Sequence, residues 1–349
     1  HQAARDADRL FPLSYASKDS AQIGSALAVN SGGLNVLRYG TARDLCLGIE
    51  AVLPNGSVLN GLKRLRKDNT GYDIRNLLIG SEGTLGIITA AVLKLSPLPV
   101  HTATAFLSVE SPTAALRLLG LIQQYAPDSL IAFELISGQS FAFLRETHDD
   151  LRLPFDTDPA WSVLLELATG PGADPETTIA AIYDRASDAG LVADARLSQS
   201  EQQRDAFWAV RETIPDANRL IGAIASHDIA LPLSEVPAFL DAATPRLHAL
   251  FPMRINAFGH LGDGNLHYNI FPPPGGDKAA FKDRAKEATR LIHDLVVEMG
   301  GTFSAEHGIG RAKVSDLARY GDPAKLAAMA AIKQALDPNG IMNPGAVLA

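Results

Sequence analysis

Two histidines, His260 and His267, flank the turn Leu261-Gly-Asp-Gly-Asn-Leu266, and Glu306-His307 lies between two glycine-containing turns farther along the chain. Two imidazoles and one carboxylate are a borderline-soft donor set. It suits a divalent ion such as zinc and leaves coordination positions for a substrate oxygen. His307, outside that set, has the titration range of a general base. Spacing alone leaves a plainer reading open, in which the histidines are hydrogen-bonded strand residues and the glycines only make tight turns.

These side chains need elements to hold them. Ile255–Phe258 and Leu266–Phe271 alternate apolar and polar residues and are rich in Phe, Tyr and Ile, so they read as strands. Asp-Gly and Gly-Asn between them are turn dipeptides. A strand–loop–strand of this kind brings both imidazoles to one side of a sheet. Elsewhere, Leu47–Leu53, Pro54-Asn-Gly56 and Ser57–Leu59 read as a hairpin. Ile23–Gly33 is small, apolar and ends in Gly-Gly, which by itself reads as a loop. Gly80-Ser-Glu-Gly-Thr-Leu-Gly86 leads into a β-branched strand, and its exposed amides could form an anion nest.

The chain has 349 residues, enough for two or three domains. Its hydrophobic fraction of 46% and charged fraction of 20% are ordinary for a globular protein. A net charge of −8 argues against a nucleic-acid or anionic-membrane surface. No apolar run reaches the length of a membrane span. The single cysteine, Cys46, excludes an internal disulfide and a thiolate metal cage. No signal-peptide pattern stands at the start, so a reducing cytoplasm is the expected location. His1–Arg9 reads as the middle of a helix.

Pro97-Leu-Pro99 marks a boundary. Beyond it, strands (102–108, 129–136, 161–167, near 192, 253–258) alternate with helices (112–125, 175–189, 233–250). Connections this short predict an antiparallel sheet covered by helices on one face. After Pro272-Pro-Pro-Gly-Gly276 the pattern turns helical over 279–299, 312–319 and 323–336. Asp337-Pro-Asn-Gly340 stops the last helix.

Gly259–His267 and Glu306–Gly310 resemble the C-terminal signatures of the flavin-linked D-2-hydroxyacid dehydrogenases, which include D-lactate and D-2-hydroxyglutarate dehydrogenases and the glycolate oxidase flavin subunit. Asn69–Asp73 with Ile79–Thr89 resembles the flavin-binding half of the same family, which is of the vanillyl-alcohol-oxidase type. The resemblance runs over nearly the whole chain. It implies an α+β fold in three parts. Residues 1–99 would be the second half of a vanillyl-alcohol-oxidase-type FAD-binding domain, 100–275 an antiparallel-sheet substrate domain covered by helices, and 276–349 a small C-terminal helical segment returning to the flavin. The family carries an earlier Gly-rich subdomain with no match here, so this chain alone is expected to hold FAD weakly.

The resemblance also implies the site. Asn30, Gly32, Gly33, Gly80, Ser81, Gly83, Gly86, Ile87, Ile88 and Asn343 would border FAD. His260, His267 and Glu306 would hold a divalent metal, with zinc the expected ion. His307 would be the base, Arg211 the carboxylate anchor, and Asn269 would point toward substrate or metal. The implied reaction oxidises a D-2-hydroxyacid of the D-lactate or D-2-hydroxyglutarate class to the 2-oxoacid. Electrons pass from FAD to an acceptor other than NAD, since no dinucleotide fingerprint is present. A homodimer is a candidate assembly. Family members that act on dicarboxylates often place a Thr near Pro215 and a Lys near Ser226. Neither stands here, although His227 could substitute in part. The alternatives are an inactive, weakly flavin-binding fragment and a zinc hydrolase. A third alternative, a transferase of the same fold such as the alkyl-glycerone-phosphate synthases, would use a His-rich active segment that this sequence lacks.

Overall fold

The computed structural model describes residues 1–15 and 21–348, and these form two compact units, residues 1–98 with 306–348 and residues 99–305.

In chain order the first unit contains α1 (Gln2–Arg5), β1 (Arg9–Leu10), α2 (Ile23–Val29), α3 (Val36–Tyr39), β2 (Cys46–Val52), β3 (Val58–Gly61), α4 (Ile74–Leu78), β4 (Ile87–Leu93) and β5 (Ser96–Pro97). The second unit contains β6 (His101–Val109), α5 (Pro112–Tyr125), β7 (Leu130–Ser137), α6 (Gly138–Thr147), β8 (Trp161–Thr169), α7 (Pro175–Asp188), β9 (Val192–Leu197), α8 (Glu201–Ile221), β10 (Asp228–Ala230), α9 (Val236–His248), β11 (Arg254–Gly259), β12 (Asn265–Phe271) and α10 (Lys282–Glu298). The first unit is completed by α11 (Val314–Tyr320) and α12 (Pro323–Leu336).

In the first unit, the sheet order is β3-β2-β4, antiparallel throughout, and Val52 pairs with Val58 across the expected hairpin. Its core gathers Leu27 from α2, Ile49 and Ala51 from β2 and Leu78 from α4, and Ile332 and Leu336 of α12 pack against it. The opening residues correct the sequence reading. The helix ends at Arg5, and Arg9–Leu10 pairs antiparallel with Ser96–Pro97. Ile23–Val29 is helical rather than a loop, and its C-cap Asn30 takes the left-handed conformation at φ 55°.

The second unit is a seven-stranded antiparallel sheet in the order β10-β12-β11-β7-β8-β6-β9. Helices cover both faces, where the sequence reading expected one. Phe106, Ile136, Leu164 and Phe258 pack on one face against Phe141, Phe143 and Leu144 of α6 and Val210 and Ile214 of α8. Tyr268 points to the other face and meets Phe239 of α9 edge-on at 5.2 Å. Every residue of β7 is buried, as a central strand covered twice requires. The sequence reading identified neither α6 nor α8. Yet α8 carries a clear start: Ser200 Oγ accepts from the Gln203 amide, and the Gln203 side chain accepts from the Gln199 amide.

The second unit also extends to 305, past the sequence boundary at 275. The reason is α10, whose buried stripe of Ala288, Ile292, Leu295 and Val296 packs with α9. Beyond α10, Thr302 pairs with Ala230, and the Ala305 amide donates to the Asp228 carbonyl.

Candidate active site

Sheet register places the chemistry on the face that α6 and α8 cover. Phe258 and Asp228 both stand directly across from His267, on its two neighbouring strands. All three therefore share one face with Asn256 and Asn269. After β11 the chain makes a single 3-10 turn over Leu261–Asp263, and Gly264 at φ 81° reverses it. A Cβ on Gly264 would run into the Leu231 carbonyl, so this turn needs glycine. The Asn265 amide donates back to the His260 carbonyl at 3.2 Å. The imidazoles of His260 and His267 end 5.6 Å apart, ring edge to ring face.

The side chain that organises this group is Glu134, at the middle of the central strand and only 1% exposed. Its Oε1 lies 2.6 Å from His260 Nδ1, and its Oε2 accepts from Arg211 Nε at 2.8 Å. Arg211 reaches in from α8, is 5% exposed, and lies over the Phe258 ring at 4.8 Å. Burial works against a charged carboxyl. The positive charges of His260 and Arg211, and their hydrogen bonds, outweigh it and hold Glu134 down to about 2. Facing Glu134, His260 in its neutral form keeps its proton on Nδ1 and presents a lone pair on Nε2. Burial, then the charges of Arg211 and His260, push His267 down to about 3, although Asp228 and Glu134 pull the other way. His267 is therefore a neutral imidazole with a lone pair to give. Asp228 Oδ1 lies 4.0 Å from His267 Nδ1 and accepts from Asn265 Nδ2 at 2.8 Å.

The donor chemistry fits a divalent ion, because two imidazoles backed by carboxylates are what such an ion binds once the metal-facing nitrogens carry no proton. Asn269 is on the same face but has a second duty: its Oδ1 accepts from the His227 backbone amide at 3.1 Å, which leaves the amide NH2 for any ligand. Asn256 is fully buried and takes hydroxyl donors from Ser137 and Ser140 while giving to Asn218 of α8. His227 does not stand in for the missing lysine. Its Nδ1 meets the Tyr268 carbonyl at 2.8 Å and its Nε2 meets Thr289 of α10 at 3.0 Å, so the ring turns away from Asp228 and His267. The alternation of a strand puts His227 and Asp228 on opposite faces. Pro215 and Ser226 are both exposed.

The remaining predicted residues lie in the first unit. Glu306 sits beside Gly32, where an added Cβ would be 3.5 Å from Glu306 Oε1. His307 is exposed. The loop after it is held by Glu82, whose two carboxylate oxygens accept from the amides of Ile309 at 2.8 Å and Gly310 at 2.7 Å. Gly308 packs so tightly there that a Cβ would come within 2.5 Å of Glu82 Oε1. Asn343 Nδ2 donates to the Glu82 carbonyl at 2.7 Å, joining the closing segment to the same point.

Among the predicted flavin residues, several side chains have structural partners. Asn30 Oδ1 accepts from the Arg43 amide, Ser81 Oγ donates to the Leu78 carbonyl, and Ile88 packs against the core. Gly33 abuts the Ser14 carbonyl, Gly80 abuts Arg43, and Gly86 abuts Val52 and Leu78. Gly83 opens onto free space and Ile87 is 52% exposed. An open glycine backbone at Gly83 and an exposed apolar side chain at Ile87 are features that a flat ring such as a flavin can use.

Sequence reasoning missed Glu134, Glu82 and the Asp228–Asn265 pair. Glu134 had a usable signal, a lone carboxylate inside the apolar run Leu130-Ile-Ala-Phe-Glu-Leu-Ile136.

Residues 98–347 match the model for FAD linked oxidases, C-terminal domain. The chain belongs to that family. Residues 1–61 of this FAD-linked oxidase match the FAD binding domain model. It is 34% identical over 340 residues to "D-2-hydroxyglutarate dehydrogenase, mitochondrial" of Arabidopsis thaliana, covering 97% of this chain and 59% of that protein. It is 35% identical over 355 residues to "D-2-hydroxyglutarate dehydrogenase" of Stutzerimonas stutzeri, covering 100% of this chain and 74% of that protein. The chain therefore spans about three fifths to three quarters of these relatives. Among solved structures it resembles p-cresol methylhydroxylase (TM-score 0.70, 16% identity, 98% of this chain and 72% of that one). It also resembles an alkyldihydroxyacetonephosphate synthase (TM-score 0.67, 17% identity, 98% and 61%). At these identities the likeness establishes the vanillyl-alcohol-oxidase-type fold. No described helix is long and apolar enough to cross a membrane.

Proposed function

We propose that this FAD-linked oxidase oxidises a D-2-hydroxyacid to the 2-oxoacid with the help of a divalent ion, and that its electrons leave through an acceptor other than NAD. One observation carries the reading. Glu134 holds an imidazole and a guanidinium, His260 and Arg211, on one face of the sheet. Those are the groups needed at the two ends of a 2-hydroxycarboxylate. The relatives named for D-2-hydroxyglutarate support the substrate class.

FAD, when bound along Asn30, Gly32, Gly33, Gly80, Ser81, Gly83, Gly86, Ile87, Ile88 and Asn343, supplies the hydride acceptor. His260, His267 and Glu306 would hold the ion, with zinc first among candidates, and it would polarise the substrate oxygens. Chain continuity supports Glu306 as the third ligand, because it follows Ala305, whose amide is bonded to Asp228 beside His267. Arg211 spends Nε on Glu134, and its Nη edge offers a two-pronged donor for a carboxylate. Asn269 contributes its NH2, and His307 takes the hydroxyl proton.

The test is His260→Ala and His267→Ala, separately and together. Each should lose bound metal and most turnover with an unchanged circular dichroism spectrum. Full metal occupancy in the double variant would sink the assignment.

A further inference from the structure

We propose that Glu134 is a positioning residue that sets the metal-binding imidazole and the substrate-binding guanidinium together, through one buried carboxylate. The inference rests on the metal and carboxylate roles just given to His260 and Arg211.

A carboxylate buried at the centre of a covered sheet is a costly choice unless both oxygens are satisfied. Here each oxygen has its own partner: Oε1 meets His260 Nδ1 at 2.6 Å and Oε2 meets Arg211 Nε at 2.8 Å. An ionised carboxylate only accepts. It therefore requires an N–H from both neighbours at once. In the neutral ring of His260 this fixes the proton on Nδ1 and leaves Nε2 for an ion. For Arg211 it consumes Nε–H, leaves the two Nη groups for other partners, and keeps the guanidinium over Phe258 at 4.8 Å. Phe133 and Leu135, on either side of Glu134, are buried toward the opposite face, so the strand cannot rotate to release either bond. The two functional groups come from elements far apart in sequence, the β11–β12 turn and α8, and the position of one is tied to the position of the other.

Glu134→Gln separates this role from a purely structural ion pair. The amide matches the carboxylate in size but has one acceptor and one donor. If its oxygen serves Arg211, its NH2 faces His260 Nδ1 and drives the proton to Nε2, which blocks ligation. If its oxygen serves His260, its NH2 opposes Arg211 Nε–H. The expected result in the folded chain is zinc affinity weakened about 10- to 100-fold by chelator competition. In the flavin-loaded full-length enzyme at saturating metal, KM for the hydroxyacid should rise more than kcat falls, because Arg211 has been displaced. Glu134→Asp keeps the acceptor-only character and should recover part of one function only. A second readout needs no variant. In the wild-type chain without metal, the nitrogen NMR signals of neutral His260 should show the proton on Nδ1, and a proton on Nε2 with bare Nδ1 overturns the proposal.

The outcomes separate. Wild-type binding of zinc with unchanged affinity and KM in Glu134→Gln overturns the role of Glu134 and leaves the metal reading standing. Wild-type failure to bind zinc, with no effect of His260→Ala or His267→Ala, removes the metal reading and this inference with it.

Discussion

Arg211→Lys keeps the charge and removes the geometry. In the structure the guanidinium pairs with Glu134 at 2.8 Å and lies on Phe258, and in the proposed reaction its remaining edge takes the substrate carboxylate. An ammonium is a single point donor. It can meet Glu134 or a substrate carboxylate, but not both in the fixed directions of a fork. With Arg211 5% and Glu134 1% exposed, deleting the cation outright, as in Arg211→Met, breaks a buried pair and should cost about 3–5 kcal/mol. Lysine restores the charge, so its loss should be about 1–2 kcal/mol, mostly packing on Phe258 and one ideal hydrogen bond. A lost charge-assisted contact to substrate is worth about 1.5–3 kcal/mol, which predicts a rise in KM of roughly ten- to hundredfold. Stability can be followed by urea unfolding with tryptophan fluorescence. Both tryptophans, Trp161 and Trp208, lie in the second unit, so the signal reports the sheet that carries Arg211. Arg211→Lys with an unchanged urea midpoint and KM within about twofold of wild type would refute the reasoning.

His307→Ala should lower kcat by roughly two to four orders of magnitude with KM little changed, measured at saturating metal. Glu82→Gln removes one of two charge-assisted acceptors. It should speed hydrogen exchange at the Ile309 and Gly310 amides and cost about 1–2 kcal/mol. Acid should destabilise the second unit in two windows. His267 is depressed from 6.5 to about 3, so stability present above 6.5 is lost as pH falls toward about 3. Glu134 is depressed from 4.5 to about 2, so its contribution, on the order of 3 kcal/mol, is complete above 4.5 and lost as pH falls through about 2. Urea midpoints across that range check both, and added zinc should protect the upper window. Ser226→Lys adds a cation just before β10, and should raise kcat/KM for a D-2-hydroxydicarboxylate over D-lactate by about ten- to hundredfold. An unchanged ratio places the specificity elsewhere.

Much of this architecture was legible because its signals are local. Pro112 behind Ser111 and Pro323 behind Asp322 announce helix starts, and both helices begin and end where the sequence places them. The His260–His267 turn was legible for the same reason, since Gly264 and the flanking aromatic strands encode it within a dozen or so residues. What was hidden is non-local. Glu134 is one carboxylate in an apolar run until sheet register places it beside residues 77 and 126 positions away. The second helical layer was missed because α8 carries Pro215 and a strongly charged outer face. These hide the buried stripe of Val210, Arg211, Ile214, Ala217 and Asn218. The wrong expectation for His227 came from reading neighbours along the chain, whereas a strand sends adjacent side chains to opposite faces.

The most direct measurement mixes the flavin-loaded full-length protein with single enantiomers of 2-hydroxyacids in the absence of oxygen while flavin absorbance is followed. The account predicts rapid bleaching by a D-2-hydroxyacid, none by its L enantiomer, and loss of bleaching in the His260→Ala, His267→Ala double variant. Bleaching that ignores both the enantiomer and the two histidines, or no bleaching by any 2-hydroxyacid, would contradict it.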